Sequence, residues 1–252
     1  VDETPAYSGG LAFALGYDSD AGVLGQLGLT LTDPFGLGTG INGSIDVAEE
    51  SQRLKFAVTS QNFWGEGRSG GVRPGWEKYA YDTASFDYSV AKITPYLNFA
   101  LGPRTGAELR FTYAVDDISN VDDDASYILQ QEEGARTSSG LGFSVMTGSE
   151  PLEDATIAPR AAWSLRLDQD FTGLGGDTEL SRTKLALSRP EPLTSSRFAF
   201  RPRVEFGPLA GSRGDAPPAA DRFFLGGAML RAFVRRPVSP RPISHRCTRD
   251  RD

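Results

Sequence analysis

Apolar residues recur at every second position along many short segments of this chain, and this spacing constrains the fold more than any other feature. In the first such segment, apolar side chains alternate with alanine and glycine, the apolar ones being Leu11, Phe13, Leu15 and Tyr17. A period of two places alternate side chains on opposite faces of an extended strand, whereas one face of a helix needs a period near 3.6. The segment is therefore predicted to be a β-strand.

Eleven segments with this kind of alternation follow one another along the chain. They cover residues 11–17, 26–32, 41–47, 53–59, 67–80, 88–101, 108–115, 141–145, 163–168, 178–188 and 198–206. The 29 glycines, beside only 2 methionines, suit many short strands and tight turns better than packed helices. The chain is predicted to be all-β.

Two stretches interrupt the pattern. The fifth segment contains four residues that weaken a strand, namely Gly70, Gly71, Pro74 and Gly75. Residues 116–137 are polar and are predicted to form one long exposed loop, with aspartates at 116, 117, 122, 123 and 124. This loop lacks the glycine and glutamate spacing of a calcium loop, which favours a solvated loop over a calcium site.

The alternation fits a membrane barrel and a soluble β-fold equally well. No stretch approaches 18 consecutive apolar residues, which argues against a transmembrane helix. A barrel strand needs only about 9 to 11 residues with every second one apolar. The mean hydropathy of −0.32 does not separate these cases. A soluble sandwich gives the same alternation, since one face of each strand packs on the core.

Charge and composition exclude several kinds of function. The net charge is −7, and eight arginines against two aspartates from residue 222 onward leave the preceding part at −13. An acidic body of this kind argues against nucleic-acid binding. The single cysteine, Cys247, cannot form an internal disulfide, and the single histidine, His245, is too little for a histidine-based metal site or catalytic triad. We therefore expect no enzyme activity, catalytic residue, metal or cofactor.

Three separated motifs resemble those of a known family. The segment 222–233 reads RFFLGGAMLRAF, residues 33–44 read DPFGLGTGINGS, and residues 171–177 read FTGLGGD. The first of these resembles the signature loop, and the other two resemble two turns, of the BamA-type outer-membrane assembly barrels, in the bacterial surface-antigen family. Ala232 stands where the family has a glycine. The chain is identified by these motifs as part of such a barrel.

The resemblance implies an antiparallel up-and-down transmembrane β-barrel of sixteen strands, with the signature loop between strands eleven and twelve. About eleven strands precede that loop here, so we expect an incomplete barrel that is open or poorly closed. Residues 1–8 are interpreted as the remnant of a linker, residues 9–233 as the partial barrel and residues 234–252 as an aberrant tail rich in proline and arginine. The tail is interpreted as a truncation or a slip of reading frame, and the start of the chain as lacking its signal peptide.

The family inserts other barrels into the bacterial outer membrane by opening a seam beside its first strand and offering that strand's edge to the incoming protein. The resemblance thus implies that outer-membrane lipid, unfolded outer-membrane proteins and accessory lipoproteins are partners. The seam strand is assigned to Gly10, Leu11, Phe13, Leu15 and Tyr17. The signature loop is assigned to Arg222, Phe223, Phe224, Gly226, Gly227, Arg231 and Phe233.

Within the signature loop, the family's arginine folds back into the lumen against acidic and aromatic groups, and Arg231 matches it. A guanidinium suits this role because it stays ionised and offers a planar fork of donors. Alternative functions stay open: a TamA-like or two-partner secretion translocation barrel, a simple pore lined by Arg201 and Arg203, or a soluble β-sandwich binding module.

Overall fold

Among the described residues, one antiparallel sheet of twelve strands dominates the computed structural model of the chain. The structure describes residues 8–18, 22–80, 86–122, 125, 127–149, 163–189, 191–192, 199–200 and 202–211. The sheet consists of β1 (Ser8–Asp18), β2 (Gly22–Thr32), β3 (Thr39–Val47), β4 (Ser51–Ser60), β5 (Arg68–Ala80), β6 (Asp87–Gly102), β7 (Thr105–Ser119), β8 (Gly134–Gly148), β9 (Ser164–Gly176), β10 (Leu180–Ser188), β13 (Arg203–Phe206) and β14 (Leu209–Gly211). A separate ladder pairs β11 (Glu191–Pro192) with β12 (Ala199–Phe200).

Each strand from β1 to β10 pairs with its neighbours in chain order, without a crossover. This topology confirms the predicted all-β, up-and-down fold. Within the described ranges the sheet is open, with β1 at one edge and β13 and β14 at the other. The expected lack of closure is therefore also confirmed.

The eleventh strand is a single strand with a break. Both β13 and β14 pair with β10, and the pairs Leu185 with Phe206 and Arg182 with Leu209 belong to one unshifted register. The break falls at Pro208, which has no backbone N–H to donate, although its carbonyl still accepts from the Thr183 amide at 3.0 Å. Within the described ranges, and apart from the short β11–β12 ladder, the sheet therefore has the predicted eleven strands.

The beginning of that strand was predicted wrongly. The alternation placed it at residue 198, but Ala199–Phe200 pairs with Glu191–Pro192 as β12. The main ladder starts only after Pro202, whose carbonyl accepts from the Arg189 amide at 3.3 Å. Alternation reports which side chains share a face, and it does not report which neighbour a backbone pairs with.

One face of the sheet is apolar and exposed. Leu27, Ile45, Leu54 and Trp76 are cross-strand neighbours in one row over β2 to β5, and each is more than a third exposed. The row therefore forms a surface belt and not a core. An apolar outer band with polar side chains on the other face is typical of a transmembrane barrel wall.

The opposite face carries an ion-pair network that crosses strands. Arg110 of β7 reaches over β8 to Asp170 of β9, with Nη2 at 2.6 Å and Nε at 2.9 Å from Oδ1. Between them in the register lies Gly142, where an added Cβ would be 2.2 Å from the Asp170 carboxylate. Ser144 also accepts from Arg110 Nη1, at 2.5 Å. The absence of a side chain at Gly142 gives this pair its room.

The motif at residues 33–38 forms a tight turn between β2 and β3. Asp33 Oδ1 accepts from the amide of Gly38 at 2.7 Å and from that of Thr39 at 3.2 Å. Gly36 and Gly38 have φ values of 67° and 65°, a region that favours glycine. The predicted turn is confirmed, and its aspartate and glycines each have a local structural cause.

The fifth strand, β5, forms despite its glycines and proline. An added Cβ at Gly71 would lie 2.1 Å from the Val58 carbonyl oxygen, so β4 and β5 approach too closely there for any side chain. Pro74 coincides with a gap in the ladder to β4, which resumes on either side without a shift of register. The glycine and proline that argued against a strand here are thus explained by the close approach of β4 and β5 at Gly71 and by the interrupted ladder at Pro74.

The prediction of one long loop at residues 116–137 was wrong. β7 continues to Ser119, the helix α1 spans Tyr127–Gln131 and β8 begins at Gly134. Asp116 is not a solvated loop residue, because it forms a cross-strand ion pair with Arg136 at 3.2 Å. The polar composition reflects strand residues that pair with each other. None of the described helices has the length and apolarity to cross a membrane.

We predict that Gly142→Ala destabilises the sheet by about 1–3 kcal/mol, because the new methyl group separates Arg110 from Asp170. Gly75→Ala is the matched control on the same face, since its Cβ would have only ordinary contacts at 3.6 Å. Urea unfolding in detergent micelles measures both. Equal midpoints for the two variants would contradict the role given to Gly142.

Asp177, in the turn after β9, accepts two hydrogen bonds from Thr137 at the start of β8, an arrangement called the clasp below. The Thr137 amide donates to Asp177 Oδ2 at 2.9 Å and the Thr137 hydroxyl at 3.1 Å, and these bonds hold the pKa of the Asp177 carboxyl below its ordinary value. The clasp is therefore fully formed above the unfolded-state pKa and is lost as the pH falls through the lower folded-state pKa.

We accordingly predict that the Thr137 amide resonance titrates with an apparent pKa below the ordinary aspartate value. Nuclear magnetic resonance from pH 7 to about pH 2 follows this. Asp177→Asn should abolish the titration. A midpoint above the ordinary value, or one unaffected by the substitution, would show that the clasp does not form.

Candidate functional site

Among the described residues, the first strand, β1, is paired on one side only. All eleven of its residues are in register with β2, from Ser8 opposite Thr32 to Asp18 opposite Gly22. On its other side no strand of the described chain lies beside it. An antiparallel edge strand directs about half of its backbone N–H and C=O groups away from its only partner. β1 therefore presents an edge that can accept a further strand.

The side chains of β1 show the same one-sided packing. Leu11, Phe13 and Leu15 are 73%, 70% and 70% exposed, whereas Leu27 and Leu29 on β2 are 40% and 38% exposed. The residues on both strands belong to one apolar face, so their chemistry does not explain the difference. The greater exposure of the β1 residues results from the lack of a second neighbouring strand among the described residues.

The other face of β1 carries only small side chains between its ends. Gly10, Ala12, Ala14 and Gly16 alternate with the apolar residues. An added Cβ at Gly10 would meet nothing within 4 Å, and one at Gly28 would make an ordinary contact with Ala12 at 3.6 Å. The polar face beside the edge therefore carries no large side chain and is open to solvent or a ligand.

The structure brings the predicted seam residues together and does not reach the predicted loop. Gly10, Leu11, Phe13, Leu15 and Tyr17 all lie on β1, opposite Thr30, Leu29, Leu27, Gly25 and Val23 of β2. The signature-loop residues Arg222, Phe223, Phe224, Gly226, Gly227, Arg231 and Phe233 lie outside the described residues. β14 ends at Gly211, at the same end of the sheet as the β1–β2 connection.

A second cluster on the polar face of the sheet was not predicted from the sequence. The Arg73 guanidinium lies 3.8 Å from the centre of the Tyr96 ring and forms an ion pair with Glu108. The Tyr96 hydroxyl is 2.5 Å from Thr59 Oγ1, and Tyr96 is only 8% exposed. The alternation identified the face of each residue, but the partners depend on the register of four strands.

The predicted pore arginines can be checked only in part. Arg203 pairs with Glu205, which also binds Lys184 Nζ at 3.1 Å. Arg201, His245 and Cys247 lie outside the described residues. In the part of the chain that is described, no three His, Cys, Asp or Glu side chains are grouped so as to hold a metal ion.

Comparison with known proteins agrees with this geometry. The model of the Omp85 superfamily domain matches residues 34–251. The outer membrane protein assembly factor BamA of Neorickettsia risticii (strain Illinois) is 24% identical over 254 residues, which cover 96% of this chain and 32% of the relative. The chain thus spans about a third of that relative's length.

Two solved structures share the fold. BamA from Haemophilus ducreyi lacking POTRA domains 1–3 has a TM-score of 0.72 at 18% identity, over 88% of this chain and 45% of the other. CdiB from Acinetobacter baumannii has a TM-score of 0.54 at 12% identity, over 90% and 48%. The resemblance to a BamA-type barrel is confirmed. The chain belongs to the Omp85 superfamily and forms part of the β-barrel wall of a bacterial outer-membrane protein.

Proposed function

We propose that this chain acts in the assembly of outer-membrane proteins, by offering the free edge of β1 to incoming β-strands. The observation that carries the proposal is the open edge itself, with eleven residues held in one register by β2. A strand so held has its backbone groups already aligned for a new partner, which is the basis of β-augmentation. The similarity to the assembly factor of Neorickettsia risticii supports the same function.

The bilayer favours the pairing of a client strand with β1. Unpaired backbone N–H and C=O groups cost several kcal/mol each in hydrocarbon, because no water is there to bind them. A client strand that pairs with β1 satisfies these groups and its own at once. The proposed clients are therefore unfolded outer-membrane proteins, whose strands must find a partner as they enter the lipid.

The remaining assignments made from the family resemblance are also proposals. Arg231 is proposed to dock against the inner wall, and the carboxylates and aromatic ring found there, Asp170, Glu108 and Tyr96, support this chemistry. Residues 1–8, 9–233 and 234–252 are proposed as linker remnant, barrel and tail. Accessory lipoproteins are proposed as further partners.

We predict that a cysteine on β1 forms disulfide cross-links to a client strand during assembly. In a Cys247→Ser background, Ala12→Cys places a thiol on the edge strand, and Ser44→Cys places one on the same face of β3 as a control. A barrel precursor carrying single cysteines is added in vesicles, and the cross-linked products are separated by gel electrophoresis. Adducts at Ala12→Cys, with a regular spacing of two along the client, are the expected result.

A translocation barrel is the second candidate, and the fold shared with CdiB is the observation that favours it. In that case the client would pass along the polar inner face and not pair with β1. Cross-links of similar yield at Ala12→Cys and Ser44→Cys, without the regular spacing of two residues along the client, would contradict the assembly function and support translocation. No adduct at either position would contradict both.

A further inference from the structure

A broad concavity lies on the polar face directly behind the edge of β1. Its volume is about 660 Å³, and its lining runs from β1 to β6. On β1 to β3 the polar face of this lining consists of short side chains, namely Gly10, Ala12, Gly28, Thr30, Asn42 and Ser44. An extended peptide could therefore lie on this floor without meeting a long side chain.

The far side of the concavity is cationic. Its charged lining residues are Lys55, Arg73, Lys92 and Glu77, three cations against one anion. Arg73 is paired with Glu108, and Lys92 Nζ lies 2.9 Å from Glu77 Oε1. Lys55 forms no salt bridge or hydrogen bond with any residue that the structure describes, and its side chain is exposed. With Glu108 paired to Arg73 and Glu77 to Lys92, the uncompensated positive charge of this wall is that of Lys55, on a protein whose net charge is −7.

The two lysines face each other across a glycine. Lys55 of β4 and Lys92 of β6 are both register partners of Gly75 on β5. Two strand spacings separate their Cα atoms by about 10 Å. Gly75 has no side chain of its own, and the Lys92 side chain extends over it, with Cε 3.6 Å from the position of an added Cβ, to reach Glu77. A carboxylate placed beside Gly75 would therefore meet Lys55 and would compete with Glu77 for Lys92.

The distance from the edge to this wall fits a short peptide segment. Three strand spacings between β1 and β4 amount to about 14 Å. An extended chain covers that distance in about four or five residues. A client strand paired with β1 can therefore place the segment next to it across the floor, with its acidic side chains at the lysines.

We propose that this concavity binds an extended acidic segment of the client, with its carboxylates held by Lys55 and Lys92. The inference rests on the proposed assembly function and adds a preference for charge to it. Since both lysines are exposed, each contact is a screened surface interaction and its effect is a modest factor in affinity. The preference must also weaken as salt is added.

The test is a binding measurement on the full chain in detergent micelles. The probes are two fluorescein-labelled nine-residue peptides, one alternating threonine with aspartate and one alternating threonine with lysine. Fluorescence anisotropy gives the dissociation constants. We expect the acidic peptide to bind about tenfold more tightly at about 0.05 M salt, and the difference to fall below about twofold at 0.5 M.

Variants locate the site. Lys55→Gln with Lys92→Gln should remove most of the preference, whereas Lys55→Arg with Lys92→Arg should keep it. Lys78→Gln, on the apolar face of β5, is the matched control for a lost charge and should change nothing. Equal binding of the two peptides, a preference that survives high salt, or an unaffected double glutamine variant would each overturn the inference.

Failure here is distinct from failure of the proposed function. Cross-links at Ala12→Cys without any charge preference would leave the assembly function standing and remove only the acidic site. If an anionic lipid vesicle, and not the acidic peptide, showed the lysine-dependent binding, the site would bind lipid phosphate and the inference would be overturned in favour of that ligand.

Discussion

The fold depends on backbone hydrogen bonds between strands that follow one another in the chain. In hydrocarbon these bonds are the only way to satisfy the backbone of an extended segment, so each strand needs two neighbours. β2 to β10 have two within the described sheet, whereas β1 at one edge and β13 and β14 at the other have one. The requirement is unmet at both edges, and the function is proposed for β1, where eleven residues are held in one unbroken register.

Side-chain size then determines what the two faces can do. Along the apolar face, large residues in rows suit lipid. Along the polar face, glycines allow charged groups to meet across a strand, as Gly142 does for Arg110 and Asp170. Beside β1 the same face carries only small groups, and this leaves room next to the edge. Small residues on the polar face therefore have two effects. Within the sheet, as at Gly142, they allow ion pairs to form across a strand, and along β1 they leave space beside the edge.

Much of the fold could be predicted from the alternation, whereas the seam and signature-loop assignments come from the family motifs and stay predictions. The number of strands and the assignment of Leu11, Phe13 and Leu15 to one face of the edge strand needed only a period of two. The pairing partners could not be predicted, because Arg73, Tyr96 and Glu108 meet through the register of strands far apart in the sequence. The strand at residues 116–119 was missed because its polar residues are satisfied by cross-strand pairs that composition does not reveal.

The central claim is that β1 pairs on one side only, and amide hydrogen exchange of the full chain in lipid nanodiscs tests it most directly. With β2 as its single neighbour, β1 should show slow and fast exchange at alternate residues from Ser8 to Asp18, while β2 from Gly25 to Thr32, which is paired on both sides, should be protected at every residue. Uninterrupted protection along β1, equal to that of β2, would mean that a second strand covers the edge and would contradict the account.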